Sequence, residues 1–178
     1  MDFVTIDVET ANSSIASICQ IGIACYKNGL LADEWGSYIN PEEYFSLFNI
    51  GIHGIDDDKV KDAPILAGIS HHLRGYLDNR IVVCHTNFDR IAVSKASMKY
   101  GLAEPDCKWL DSASVVRKTW QQYSRRGYNL GNMCRLLNYE FKHHDALEDA
   151  KAAGHIMLSA IEKSGIGIDG WLRVARIY

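Results

Sequence analysis

Three short acidic clusters, far apart in the chain, constrain the fold more than any other feature. They are Asp7-Val8-Glu9-Thr10, His85-Thr86-Asn87-Phe88-Asp89 and His144-Asp145-Ala146-Leu147-Glu148-Asp149. The first cluster ends an apolar run that is typical of a strand, so Asp7 and Glu9 project from the same face. Burying these carboxylates near further aspartates is costly unless a cation neutralises them. Since carboxylate oxygens select hard ions, the pattern predicts a fold that gathers the clusters around Mg²⁺ or Mn²⁺.

Each cluster by itself also has an ordinary structural interpretation. An acidic pair at the end of a strand is common on protein surfaces. Asp145 followed three residues later by Glu148 is typical of a capping box, in which Asp145 caps a helix beginning at Ala146 and Glu148 reaches back to the cap. Asp149 would then lie in the first helical turn, where the helix dipole favours a negative charge. This interpretation is compatible with a metal site, and the occurrence of all three clusters in order favours one.

Length and composition predict one domain that lies outside the membrane. With 178 residues and 47% hydrophobic content, the chain can bury one core but is too short for two ordinary domains. The sequence enters a strand at once, without a signal segment, and no apolar run approaches the length of a membrane span. We therefore expect a cytoplasmic protein.

The order of the predicted elements is that of an α/β protein. Strands are predicted at 3–9, 18–26, 31–39, 81–85 and 108–110, and helices at 42–48, 65–77, 88–100, 113–123, 130–137 and 146–162. The turn Lys27-Asn28-Gly29 predicts an antiparallel hairpin. This order allows a mixed five-stranded sheet with helices on both faces. Residues 1–164 form the predicted domain, and the tail at 165–178 is expected to form a short helix, either docking a partner or, as we favour, capping the core.

The three clusters resemble the exonuclease motifs of the DnaQ-like family, also called DEDD exonucleases. Asp7 and Glu9 match the D-x-E-T first motif, and Asp89 matches the Phe-Asp that closes the second motif. Asp149 matches the last aspartate of the third motif. His144, five residues before it, assigns the resemblance to the histidine subclass, DEDDh. The second motif departs from the family pattern, because the run between its histidine and its aspartate is compressed.

This resemblance implies a ribonuclease H-like fold and a 3′–5′ exonuclease that releases nucleoside 5′-monophosphates. In the family, the four acidic residues hold two metal ions, and two ions can together activate water and stabilise the leaving oxygen. His144 would be the general base. His143 is the alternative beside it, although two adjacent histidines are expected to point in different directions. The implied substrate is a single-stranded or frayed nucleic-acid 3′ end, with DNA favoured over RNA and a DNA polymerase as a candidate partner.

Two segments are candidates for binding the strand end. By resemblance, the backbone at Thr10 and Ala11 would contact the terminal nucleotide, and His53-Gly54-Ile55 would line the pocket for the last base. The residues themselves equally allow a turn that packs on the core. The basic segment 117–128 is typical of a solvated helix end and loop, and the alternative is that Arg125 and Arg126 bind phosphates beside the cleft.

Two other functions remain compatible with the sequence. One is a non-catalytic nucleic-acid-binding domain, and the other is an endonuclease or oligoribonuclease-type phosphodiesterase on the same fold. The net charge of −3 is unfavourable for binding phosphates. Two divalent ions would, however, cancel the four negative charges of the acidic residues. Requirements for a metal ion and for a free strand end would distinguish these functions.

Overall fold

The computed structural model describes residues 2–175 and Ile177. In chain order, its elements are β1 (Asp2–Thr10), β2 (Ile18–Lys27), β3 (Leu30–Tyr38), α1 (Leu47–His53), α2 (Asp57–Val60), α3 (Leu66–Leu77), β4 (Ile81–Cys84), α4 (Phe88–Lys99), β5 (Lys108–Asp111), α5 (Ser112–Thr119), a 3-10 turn (Gln121–Tyr123), α6 (Leu130–Leu136), α7 (Ala146–Ser164) and α8 (Ile168–Ala175). All five predicted strands are present, with bounds that differ by one residue at most ends.

The strands form one mixed sheet in the order β3-β2-β1-β4-β5. The β1–β2 and β2–β3 pairs are antiparallel, whereas β4 pairs in parallel with both β1 and β5. The β2–β3 hairpin turns through Asn28 and Gly29, which both have positive φ, as the predicted turn requires. Helices α3 and α4 pack on one face and α5 to α8 on the other. The predicted five-stranded mixed sheet with helices on both faces is confirmed.

Alternation along β1 determines which face each side chain reaches. Val4, Ile6 and Val8 are buried in the apolar cluster that contains α3 and α4. Since successive side chains of a strand point to opposite faces, Asp7 and Glu9 project toward the face that α7 covers. The sequence of β1 therefore aims two carboxylates at one helix.

Helix α7 lies very close to the sheet where it begins. A Cβ atom on Gly22 would lie 2.1 Å from the backbone carbonyl of Ala146, and Gly22 is the register partner of Asp7 on the neighbouring strand. The Oε1 atom of Gln20 accepts a hydrogen bond from the Ala146 N–H at 3.2 Å. These contacts fix the start of α7 over the end of β1 and so bring Asp149 to Asp7.

The capping box predicted at the start of α7 is wrong. Asp145 is the N-cap residue, but its side chain makes no cap hydrogen bond to a described residue and lies 3.6 Å from Nζ of Lys142. Glu148 pairs with Lys151 at 2.7 Å and does not reach back to the cap. The side chain of Gln20, 126 positions away, caps the helix instead. A local sequence pattern cannot reveal such a partner.

The first helix begins five residues later than predicted, at Leu47. Glu42 has a φ of 54°, and its N–H donates to Oδ1 of Asn40 at 2.9 Å, so this segment forms an Asx-type turn. The helix starts after Ser46, whose Oγ accepts the N–H of Asn49 at 3.2 Å. The acidic residues that suggested a first helical turn therefore precede the helix.

The C-terminal tail contains the short helix α8. Its Ile168, Trp171 and Ala175 side chains are buried in the apolar cluster with α5 and α7. The described part of the tail therefore covers the core. Arg176 and Tyr178, which belong to the predicted tail, lie outside the described residues. No helix among the described residues is long and apolar enough to cross a membrane.

Replacing Gly22 by alanine is expected to destabilise the protein. The new Cβ would meet the Ala146 backbone at 2.1 Å, and overpacking of this kind costs about 1–3 kcal/mol of unfolding free energy. Urea denaturation measures the change. The matched control is Gly75→Ala in α3, where a Cβ would meet no described atom within 4 Å and alanine stabilises a helix interior by about 0.5–1 kcal/mol. A wild-type unfolding free energy in Gly22→Ala would contradict the close approach.

Candidate active site

The three acidic clusters converge in one cleft, at the edge of the sheet where β1 and β4 end. The first turn of α4 supplies Asp89 and the first turn of α7 supplies Asp149. Oδ1 of Asp89 also accepts the N–H of Val8 at 3.1 Å, which ties α4 to β1. The cleft has a volume of about 400 Å³, and its walls include Asp7, Glu9, His85, Asp89, His143, His144 and Asp149.

Three carboxylates of the cleft form a group that could hold a metal ion. One oxygen from each of Asp7, Glu9 and Asp149 lies within 4.8 Å of the others. Among the described residues, the second such group is His143, His144 and Asp149, which shares one member with the first. Because the first group offers only oxygen ligands, it suits Mg²⁺ or Mn²⁺.

A larger cavity lies at the opposite end of the sheet. Its volume is about 930 Å³, and its walls include Asp33, Arg80 and Lys108. Both groups of potential metal ligands in the described chain lie in the smaller acidic cleft. We therefore assign the candidate site by its chemistry and not by cavity size.

Burial raises the pKa of all four acidic side chains, and neighbouring negative charges add to the effect. Burial, followed by the charge of Asp89, raises the pKa of Asp7 well above its usual range. Burial and then the charge of Asp149 raise the pKa of Glu9 to about 8. Burial is also the main cause that raises the pKa of Asp89 and that of Asp149 to about 7. Carboxylates crowded in this way fit a bound divalent cation, which would neutralise them.

The histidine of the third cluster faces these carboxylates. Nδ1 of His144 lies 3.7 Å from Oε1 of Glu9, and 43% of the His144 side chain is exposed. Its backbone N–H donates to Oδ2 of Asp149 at 2.8 Å. Burial lowers the pKa of His144 below its ordinary value. The ring is therefore neutral at pH 7 and can accept a proton.

The expectation that the two adjacent histidines point in different directions is wrong. The rings of His143 and His144 are stacked, with centroids 4.0 Å apart and planes inclined by 8°. Nδ1 of His143 lies 2.9 Å from Oδ1 of Asp149. The positive φ of His144, 65°, turns the chain between the two residues. Both side chains therefore line the cleft.

The histidine of the second cluster lines the cleft and links two segments. Nε2 of His85 donates to the carbonyl oxygen of Tyr128 at 2.8 Å, and Nδ1 lies 2.9 Å from Oγ of Ser112. Burial lowers the pKa of His85. Next to it, Thr86 has a φ of 87°, a strained conformation for a β-branched residue. The chain thus turns sharply at Thr86, directly after β4. The hydrogen bond of His85 connects the end of β4 to the loop before α6.

Helix α1 is tied to the end of β1 beside the carboxylates. The carbonyl oxygen of Thr10 accepts hydrogen bonds from Nε2 of His53 at 3.1 Å and from Nδ2 of Asn49 at 2.8 Å. Nδ1 of His53 accepts the N–H of Ile55 at 3.0 Å, which places the ring proton on Nε2. The structure thus brings Thr10 and His53 together, next to Glu9.

Of the other candidate residues for strand-end binding, Gly54 is exposed, whereas Ala11 and Ile55 are not. Ala11 and Ile55 are buried in a small apolar cluster, and the Ala11 N–H donates to the Ser17 carbonyl at 2.8 Å. Gly54 ends α1 with a φ of 70°. The large apolar side chains exposed on this helix are Leu47, Phe48 and Ile52, of which Leu47 and Phe48 are 87% and 78% exposed.

The basic segment lies outside the lining of the acidic cleft. Arg125 and Arg126 are exposed after the 3-10 turn. Arg117 is folded back, because its guanidinium lies 5.2 Å from the ring centroid of Tyr128 and its Nε donates to the Ser124 carbonyl at 2.8 Å. The structure therefore does not join Arg125 and Arg126 to the carboxylates.

Two residues that order the site were not singled out from the sequence. Gln20 caps α7, and Asn49 binds the Thr10 carbonyl. Gln20 carries a detectable signal, because it is a polar residue inside an otherwise apolar, fully buried strand segment. Asn49 carries a weaker one, because it follows the helix-capping Ser46 by three residues.

Comparisons with known proteins agree with this arrangement. The RNase_T family model, described as an exonuclease, matches residues 4–157. A DNA polymerase III PolC-type from Caldanaerobacter subterraneus is 30% identical over 166 residues, which are 91% of this chain and 12% of that protein. The 3′-5′ exonuclease DinG of Bacillus subtilis is 30% identical over 166 residues, or 90% of this chain and 18% of that protein. The chain spans less than a fifth of either relative.

Solved structures show the same fold. Exonuclease X in complex with 5′ overhanging duplex DNA has a TM-score of 0.80 and 20% identity, covering 96% of this chain and 98% of that one. The nuclease domain of 3′hExo, a DEDDh family member bound to rAMP, has a TM-score of 0.73 and 17% identity, covering 92% of each chain. These likenesses confirm the predicted ribonuclease H-like fold.

The raised pKa values predict that the metal-free protein loses stability as pH rises. An acid whose pKa is higher in the folded chain binds more protons when folded, so the unfolding free energy falls between the unfolded and folded pKa values. The fall should extend from about pH 4, where unfolded carboxyl groups titrate, to the pKa of Glu9 at about 8. Melting temperatures in excess EDTA measure it.

A variant that lacks one of these negative charges tests the same explanation. Asp7→Asn should raise the metal-free melting temperature at pH 8, by about 2–4 °C for each kcal/mol of relieved repulsion. Asp62→Asn, at an exposed position, is the control and should change little. A melting temperature that rises from pH 5 to pH 8, or that drops in Asp7→Asn, would contradict the electrostatic account.

Proposed function

Because the chain belongs to the RNase_T exonuclease family, we propose that it hydrolyses nucleic-acid 3′ ends to nucleoside 5′-monophosphates with two divalent ions, Mg²⁺ or Mn²⁺. The observation that carries this proposal is the convergence of Asp7, Glu9, Asp89 and Asp149 on one cleft. Their raised pKa values support a site built for cations. A relative named as a 3′-5′ exonuclease supports the direction of hydrolysis.

Each side chain has a proposed role. Asp7, Glu9 and Asp149 would hold the metal ions, and Asp89 would complete the site from α4. The ions, when bound, promote ionisation of water and stabilise negative charge on the phosphate. His144 takes the proton from the attacking water as general base, since its lowered pKa leaves the imidazole neutral at pH 7. At 3.7 Å from Glu9, its Nδ1 is not fixed by a hydrogen bond to that carboxylate.

The strand end is proposed to bind where β1 meets α1. Thr10 and His53 lie beside the carboxylates, and the backbone of Ala11 and the turn at Gly54 and Ile55 would shape the terminal pocket. Two further residues, Arg125 and Arg126, would contact phosphates farther along the strand.

The proposed substrate is DNA, and a DNA polymerase is the proposed partner. A PolC-type DNA polymerase among the relatives and a DNA complex among the similar structures support both. A similar structure that contains rAMP makes RNA the alternative.

The test of the proposed function compares matched end-labelled DNA and RNA oligonucleotides, linear and circular, with Mg²⁺ or Mn²⁺. Linear strands should shorten from the 3′ end in single-nucleotide steps, and circles should survive. Asp149→Ala should abolish the activity and keep the fold, whereas Asp62→Asn should be as active as the wild type. Cleavage of circles would favour an endonuclease, and metal-independent binding without cleavage would favour a binding domain.

Replacing the proposed general base should lower the reaction rate far more than it lowers the affinity for the metal ion. His144→Ala is expected to lower turnover by about 10²–10⁴-fold at saturating Mn²⁺, because one positioned proton acceptor is lost. Single-turnover assays measure the rate, and calorimetry measures Mn²⁺ affinity, which should stay close to that of the wild type. A fall in affinity as large as the fall in rate would make His144 a metal ligand and not a base.

A further inference from the structure

The histidine before the proposed base contacts a carboxylate of the cleft directly. Nδ1 of His143 lies 2.9 Å from Oδ1 of Asp149 and 3.0 Å from the backbone nitrogen of His144, whose N–H is shared with the nearer carboxylate oxygen Oδ2. When a cation is bound, Asp149 is ionised and can only accept, so in the metal-bound site the proton of the His143–Asp149 bond lies on Nδ1. The other oxygen, Oδ2, accepts the backbone N–H of His144 at 2.8 Å. Both carboxylate oxygens of Asp149 are therefore oriented by His143 and His144, in the loop before α7.

The ring of His143 contacts several neighbours, although 46% of its side chain is exposed. It stacks on His144 at 4.0 Å, and the ring of Phe141 lies 5.3 Å away on a neighbouring position of the loop. A Cβ on Gly131, at the start of α6, would lie 3.5 Å from its Cδ2 atom. The ring thus occupies a slot between the loop before α7 and helix α6. Such packing preorganises the hydrogen bond to Asp149.

Hydrogen bonds of this kind determine how well a carboxylate binds a metal ion. A carboxylate can rotate and bind an ion through one oxygen or through both. Donors that contact its oxygens select one orientation, and each oxygen keeps a second lone pair for the ion. Removing such a partner typically costs 10–100-fold in metal affinity or activity.

We infer that His143 is a positioning residue whose Nδ1–H orients the Asp149 carboxylate for a divalent ion. This inference rests on the proposed function, because it requires that the cleft bind metal. It gives His143 a role separate from the proton transfer proposed for His144. His143 should therefore govern the metal concentration that the enzyme needs, whereas His144 governs the rate.

The experiment is calorimetric titration of the whole chain with Mn²⁺. His143→Ala should raise the Kd by about tenfold or more. His143→Asn should restore most of the affinity, because its amide can place an N–H donor at the same number of bonds from Cα as Nδ1. His71→Ala, an exposed histidine on α3, is the matched control and should bind as the wild type does. With substrate, His143→Ala should need more Mn²⁺ for half-maximal rate yet turn over within a few-fold of the wild type at saturation.

The outcomes separate this inference from the function on which it rests. A wild-type chain that binds no Mn²⁺ would overturn the proposed function itself, before any variant is considered. If the wild type binds Mn²⁺ and His143→Ala binds it equally well, only the positioning role fails. An Asn variant as weak as the Ala variant would also overturn the hydrogen-bond basis. Circular dichroism checks folding, and if His143→Ala does not fold, the comparison of His143→Asn with the wild type decides.

Discussion

The contact between helix α7 and strand β2 at Gly22 is the constraint on which the rest of the site depends. Any side chain at this position would push the helix start away from the sheet, because a Cβ would overlap the Ala146 backbone. With glycine there, the first turn of α7 lies over the strand that carries Asp7 and Glu9, and the loop before the helix enters the cleft with its two histidines. Gln20, two residues earlier, accepts the buried Ala146 N–H, which has no partner within the helix. The absence of a side chain at Gly22 on β2 therefore determines where the Asp149 carboxylate lies.

The cleft itself opposes folding, and the rest of the molecule compensates for it. Four carboxylates with raised pKa values repel one another and lose solvation in the metal-free chain. The two apolar clusters on either face of the sheet supply the opposing free energy, since burial of apolar side chains is the main force that favours folding. Their rigidity prevents the carboxylates from moving apart. A cation can then bind without first having to collect its ligands, which is the arrangement that a preorganised site requires.

The sequence predicts those features that depend on neighbouring residues or on the alternation of side chains along a single strand. Alternation along β1 places Asp7 and Glu9 on one face, and the Asn-Gly turn fixes the β2–β3 hairpin. Features that depend on distant partners were missed. The cap of α7 comes from Gln20 and not from Asp145, and α1 starts only where Ser46 can cap it. The orientation of His143 was missed for a related reason, because it depends on a left-handed backbone residue and on a slot formed by another helix.

That left-handed residue is His144, and its strain explains how one short loop can serve two roles. A positive φ at a residue other than glycine costs about 1–3 kcal/mol and persists only where surrounding contacts determine it. Here the N–H of the strained residue binds Asp149, so the carboxylate that needs orienting also stabilises the turn. The same turn stacks the two imidazoles and aims one at Asp149 and the other toward Glu9. With an ordinary right-handed or extended backbone the two side chains would diverge, as the sequence alone suggested. The backbone conformation of a single residue therefore allows adjacent histidines to share one cleft, one of them proposed to orient a metal ligand and the other proposed to accept a proton.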